Sequence, residues 1–125
     1  MQEELKLRTK NIVIEIIKLI DSVPNTISGR AIANQIIRSA TSIGANYRAA
    51  CRAKSTADFV NKLKIVEEEA DETMYWLEII EESQLLKSTN IDSLKKEINE
   101  IISIVVSSIK TLRNKENSKI VNQKS

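Results

Sequence analysis

Apolar positions along the chain fall into four stripes with helical spacing, separated by three short polar breaks. In the first, Leu5, Ile12, Ile16, Leu19 and Val23 share one face, and Pro24-Asn25 ends the helix because the residue before proline disfavours the α region. Ser28 is the expected N-cap of a second helix that aligns Ile32, Ile36, Ile43, Tyr47 and Ala50. Ser55-Thr56-Ala57-Asp58 reads as a variant capping box. It opens a third helix with Phe59, Leu63, Val66, Ala70, Met74, Leu77 and Ile80 as its core stripe. Lys87-Ser88-Thr89-Asn90 is the last break, after which Ile91, Leu94, Ile98, Ile102, Val105, Ile109 and Leu112 form the fourth stripe. The pattern thus predicts one domain over residues 1–113, with residues 114–125 as a polar, basic, fraying tail.

Short connections make sequential helices antiparallel neighbours, so the expected fold is all-α, an up-down-up-down four-helix bundle. With the second turn near Lys54, positions summing to about 108 lie level, which sets Arg38 beside Glu69 or Ala70.

Several apolar residues do not fit a monomeric bundle. Leu7 and Ile14 point nearly opposite the core stripe of the first helix, and Ile65, Trp76 and Ile79 fall on a flank of the third. The second helix is apolar or small over a wide arc once Ala33, Ile37, Ala40, Gly44 and Cys51 are counted. Gly44 in mid-helix costs up to roughly 1 kcal/mol relative to alanine, which points to close approach of another backbone. These residues form a candidate surface for a homo-oligomer or another partner, unless irregular packing within one bundle buries them.

Composition narrows the chemistry. Among 125 residues there are two Gly, one Pro, one Cys and no His. So few turn formers exclude a β sandwich, and the lack of histidine excludes His-based triads and most familiar metal sites. A carboxylate-bridged di-iron centre needs Glu-x-x-His pairs, so the cluster Glu67-Glu68-Glu69-Ala70-Asp71-Glu72 reads as a solvated or salt-bridged face. Cys51 has basic neighbours but no base to activate it, and reads as a structural thiol. Gly29 and Gly44 alone make no phosphate loop. No catalytic residue, cofactor, metal or small-molecule substrate is predicted. Apolar runs are too short for a membrane span, and Met1-Gln2-Glu3-Glu4 does not open a signal peptide, so the expected location is the cytoplasm.

The net charge of +2 conceals segregation. Residues 29–54 carry five basic residues and no acid, residues 65–82 carry eight acids and no base, and residues 83–125 carry eight basic residues against four acids. The first two segments can neutralise each other if they pack side by side, whereas the excess on the tail remains. Arg30, Arg48 and Arg52 fall within roughly a 40° arc of the second helix, with Lys54 just beyond. These four are candidate phosphate contacts for RNA or another nucleic acid. Four aromatics in the whole chain make base stacking an improbable source of recognition.

The run Ile36-Ile37-Arg38-Ser39-Ala40-Thr41-Ser42-Ile43-Gly44-Ala45-Asn46-Tyr47 belongs to a longer pattern. It continues with Ser55, Asp58-Phe59, Lys62-Leu63, Glu69-Ala70-Asp71-Glu72-Thr73 and Tyr75-Trp76-Leu77. Together these resemble the four-helix-bundle proteins encoded by intervening sequences of bacterial 23S rRNA genes, over roughly residues 5–113. Tyr47-Arg48-Ala49-Ala50 departs from the family pattern in being more basic. The resemblance implies a short bundle assembled into a ring, pentameric in known members, without established enzymatic activity. It also implies that Arg38, Ser39, Asn46, Glu69, Glu72 and Trp76 are signature positions, with Arg38 and Glu69 as a structural pair. A distantly similar family, the accessory variability proteins of diversity-generating retroelements, implies contact with RNA and a reverse transcriptase. The expectation is a non-enzymatic homo-oligomer associated with RNA, and its rival is a protein-interaction module whose Ile65, Trp76 and Ile79 flank receives a partner helix.

Overall fold

The structure is a computed structural model that describes residues 1–87 and 90–124, with side chains through Ile120. Ser88 and Thr89 of the expected polar break lie outside the described residues, as does Ser125. The chain forms α1 (Gln2–Ile20), α2 (Ile27–Ala50), α3 (Thr56–Glu82) and α4 (Asn90–Lys124), with no strand among the described residues. At 1.5 Å per residue these are about 28, 36, 40 and 52 Å long.

Helix ends follow local chemistry. Glu3 and Glu4 complement the positive end of α1, which carries no side-chain cap. α2 starts earlier than Ser28 would set it. Thr26 is extended at φ −114°, ψ 173°, and its Oγ1 accepts a hydrogen bond from the Gly29 amide at 3.0 Å. Glycine is needed there, because a Cβ on Gly29 would lie 2.1 Å from the Pro24 carbonyl oxygen. Ser55 caps α3 by accepting from the Asp58 amide at 3.1 Å, with Asp58 in the first turn. At the other end of α3 the chain turns through Gln84 at φ 57°, while the Leu85 amide donates to the Ile80 carbonyl at 3.2 Å. That is a Schellman closure in which glutamine takes the left-handed position that glycine fills at least cost.

α1 packs on α2 and α4, and α3 packs on the same two helices; the backbones of the diagonal pairs stay apart among the described residues. A four-helix bundle results. Its core is built from Ile12 and Ile16, Ile36 and Ile43, Leu63, Val66, Leu77 and Ile80, and Ile98 and Ile101, all fully buried. Each such side chain contributes about 1.5–3 kcal/mol by leaving water.

Details of the stripes differ from their sequence reading. Val60, not Phe59, enters the core of α3, because Val60-Leu63-Val66 keeps the inward spacing while Phe59 lies half-buried on the flank. On α4 the seam is Leu94, Ile98, Ile101 and Val105, the alternating three-and-four spacing of interlocking helices, and Ile102 sits beside it. Val23 lies beyond the end of α1, half-buried. α4 also continues through residues 114–124, where fraying is expected from their polarity. No glycine or proline follows Gly44 anywhere in the chain, so nothing in the covalent structure stops the helix.

Candidate interaction surfaces

The seam between α2 and α3 holds the signature residues. The Arg38 guanidinium, projecting from α2, pairs with Glu72 and lies 3.6 Å from the Glu69 carboxylate. Trp76 Nε1 donates to Glu72 Oε2 at 3.3 Å, and Tyr75 meets the Trp76 ring edge-on at 5.1 Å. Beneath them, the buried hydroxyls of Ser39 and Thr73 are hydrogen-bonded at 2.8 Å across the seam. Asn46 turns back on its own helix, donating to the Ser42 carbonyl at 2.9 Å. One atom is left over: Glu69 Oε2 is shielded from solvent without a hydrogen-bond partner. Burial pushes the Glu69 carboxyl above its ordinary range, Arg38 opposes that shift, and Glu72 and Glu68 reinforce it.

A second cluster joins α1 to α4, and sequence reasoning missed it. Arg8 grips Glu97 with both arms, Nε to Oε2 at 2.9 Å and Nη2 to Oε1 at 2.6 Å, and Nη2 also reaches Glu100 at 2.8 Å. The hydrogen bonds from Arg8 hold the Glu97 carboxyl below its ordinary range despite partial burial. These residues line one wall of a cavity of about 350 Å³ between α1 and α4. The only sequence signal was the Glu97, Glu100 spacing, which occurs equally at Glu69, Glu72 and Glu78, Glu81.

The candidate phosphate contacts separate into two places. Arg48, Arg52 and Lys54 are exposed around the corner where α2 ends, and among the described residues none of them pairs with a carboxylate. Arg30 lies in the first turns of α2, about 27 Å away along the helix, and its Nη1 donates to Asn25 Oδ1 at 3.0 Å. A shared arc on a helix does not make a shared patch when the residues occupy its two ends.

The apolar outliers also divide. Leu7 and Ile14 are exposed on α1, and Ile17, which the sequence reading did not single out, is exposed with them. Ile65, Trp76 and Ile79 are half-buried, with Trp76 packed against the core. Gly44 faces α1, where a Cβ would lie 3.6 Å from the Thr9 carbonyl oxygen. The close approach inferred for Gly44 is therefore made inside the chain, and it is loose enough for a methyl group. Cys51 is half-buried beside the buried Tyr47, whose phenol is pushed up by burial and by the neighbouring thiol.

Among the described residues no group of three or more His, Cys, Asp or Glu side chains could hold a metal, and no helix is long and apolar enough to cross a membrane. No curated protein is similar to the chain. Among solved structures, a protein of unknown function from the S23 ribosomal protein family of Bacteroides thetaiotaomicron superposes with a TM-score of 0.79 at 36% identity. The match covers 87% of this chain and 97% of that one. The profile of the 23S rRNA-intervening sequence proteins matches residues 3–107, which contain the four-helix core and both arginine–glutamate clusters. With that match and the signature residues gathered on one seam, the chain belongs to the 23S rRNA-intervening sequence protein family.

Proposed function

We propose that the chain is a non-enzymatic, homo-oligomeric scaffold that associates with RNA in the cytoplasm. Its helices follow an up-down-up-down course, a reading supported by Thr9 beside Gly44, Ser39 beside Thr73 and Lys95 beside Glu81 across successive connections. Several copies close into a ring, the assembly that the family resemblance implies.

The observation that carries the oligomer is the outer face of α1. Leu7, Ile14 and Ile17 are 60%, 41% and 44% exposed, and they lie within roughly an 80° arc of one helix face. A second copy is the occupant that the family resemblance supplies. RNA association is supported by the exposed Arg48, Arg52 and Lys54, which pair with no carboxylate among the described residues. A partner helix docking on Ile65, Trp76 and Ile79 is the competing reading, favoured only by the exposed Tyr75 beside Trp76.

Light scattering on the full chain tests the assembly. The expected mass is a multiple of 14.1 kDa at micromolar concentration, and Leu7→Asp combined with Ile14→Asp returns it to a single chain. A monomeric wild-type protein overturns the oligomer.

A further inference from the structure

The end of the bundle where α2 passes into α3 collects basic residues from two distant parts of the sequence. Arg48 stands in the last turn of α2, and Arg52 and Lys54 lie on the corner that follows. α4 reaches the same corner: Arg113 and Glu116 line a shallow groove of about 410 Å³ with Thr56 and Val60 of α3. From there α4 continues to Lys124, so residues 117–124 extend it about 12 Å further. Lys115, just before this stretch, and Lys119 on it are exposed. Six cations, three from the end of α2 and the corner after it and three from α4, thus share one end.

Few acids oppose them. Glu116 lies 3.9 Å from Lys119, and Asp58 stands in the first turn of α3, where its carboxylate complements the positive end of that helix. Glu3 and Glu4 of α1 are drawn toward Lys6 and Arg8. Arg48, Arg52, Lys54, Arg113 and Lys115 form no ion pair among the described residues. The opposite end also carries exposed cations, Lys18, Arg30 and Lys87 among them, but acids are interspersed there: Lys18 lies 3.5 Å from Glu15, and Lys95 is bound by Glu81 with Glu78 and Asp92 close by. The bundle is electrostatically polar along its length.

We propose that this basic end is a docking surface for the phosphate backbone of double-helical RNA, with the projecting part of α4 acting as a basic arm beside the α2 corner. The proposal rests on the RNA-association reading above and locates its contact. Three observations favour a helical nucleic acid over other polyanions. Residues 113–124 include only two apolar residues, Ile120 and Val121, too few for the apolar face that holds a helix on a lipid surface. Trp76 and Phe59 are half-buried and Tyr47 is buried, which leaves Tyr75 as the one exposed ring, and a single ring is no platform on which successive single-stranded bases could stack. Lysine and arginine held on α4 and at the α2 corner suit repeated phosphates read by shape, which is how A-form RNA is commonly recognised.

The test uses the full chain and an RNA hairpin with about 20 base pairs, titrated from about 50 to about 200 mM salt. The variants are Arg113→Ser/Lys115→Ser/Lys119→Ser on α4 and Arg48→Ser/Arg52→Ser/Lys54→Ser on the α2 corner. Lys18→Ser/Lys96→Ser at the far end is the control. All these residues are exposed, and circular dichroism checks that each variant is folded. Each basic-end triple is expected to lose at least about tenfold in affinity and to flatten the salt slope by up to about 3, while the control stays within about twofold. If wild type binds and the α4 triple keeps its affinity and slope, the docking surface is overturned while the RNA reading survives. If wild type does not bind the hairpin even at the lowest salt, that reading fails and the surface falls with it. Binding to vesicles of anionic lipid without binding to the hairpin also overturns the proposal.

Discussion

The two arginine–glutamate clusters share one plan and reach different states. In each, an arginine crosses a helix seam to two glutamates three residues apart, Arg8 to Glu97 and Glu100, Arg38 to Glu69 and Glu72. Arg8 is 23% exposed and satisfies Glu97 with two hydrogen bonds, so Glu97 is held as an anion. Arg38 is 55% exposed, gives its hydrogen bond to Glu72 and only approaches Glu69, whose shielded Oε2 lies 3.6 Å from the guanidinium without a hydrogen bond. Proximity of opposite charges is thus not the same as satisfaction. A carboxylate at the depth of Glu69 needs a donor aimed at it, and a guanidinium held partly in water by its other partner does not provide one.

Removing each arginine tests that contrast, and the larger effect belongs to α1. Arg8→Ala deletes three charge-assisted hydrogen bonds and leaves Glu97 and Glu100 side by side. The expected loss is about 2 kcal/mol in urea denaturation at neutral pH. Arg38→Ala removes a pair that is more than half exposed on the arginine side, so its expected loss is below about 1 kcal/mol. Equal losses would break the comparison, since they would mean that the hydrogen bonds at Glu97 add nothing beyond charge proximity.

Legibility in the sequence followed the same division between adjacent and distant helices. α2 and α3 are joined by residues 51–55, so one turn sets their register, and counting from Lys54 is enough to bring Arg38 level with Glu69. α1 and α4 are the two ends of the chain. Their register depends on the tilt of every helix between them, so no count through the turns leads from Arg8 to Glu97. Helix starts were legible where one residue could cap, as at Ser55, and not where Thr26 and Ser28 competed. There the choice was made by Gly29, whose missing side chain lets the Pro24 carbonyl close over the first turn. The basic end was illegible for a related reason. Polarity after Leu112 looks like the end of a helix when judged by hydrophobic periodicity, but polarity alone does not end one, and residues 113–124 contain neither glycine nor proline. Arg113 therefore joins Arg48 at one pole, although the two are separated by most of α3 and α4 in sequence.

The smallest expected effect sharpens the comparison most, because the two carboxylates respond to acid with opposite sign. Glu69 has its carboxyl raised by burial, so the native state binds its proton more tightly than the unfolded chain does. Stability linked to Glu69 therefore falls as pH rises through the raised native value, and it recovers as pH drops toward the ordinary value of 4.5. Glu97 is lowered by Arg8, so its contribution is fully present above 4.5 and is lost as pH falls below it through the native value. Urea midpoints measured from about pH 7 to about pH 3.5 should contain both slopes, Glu69 acting above the ordinary value and Glu97 below it. Glu69→Gln removes the upper slope and leaves the lower one intact, at a change in neutral-pH stability within about 1 kcal/mol. Glu97→Gln does the reverse and lowers stability at neutral pH. If Glu69→Gln left the profile above 4.5 unchanged, the isolation of Glu69 Oε2 would have no energetic consequence, and the two clusters would be equivalent after all.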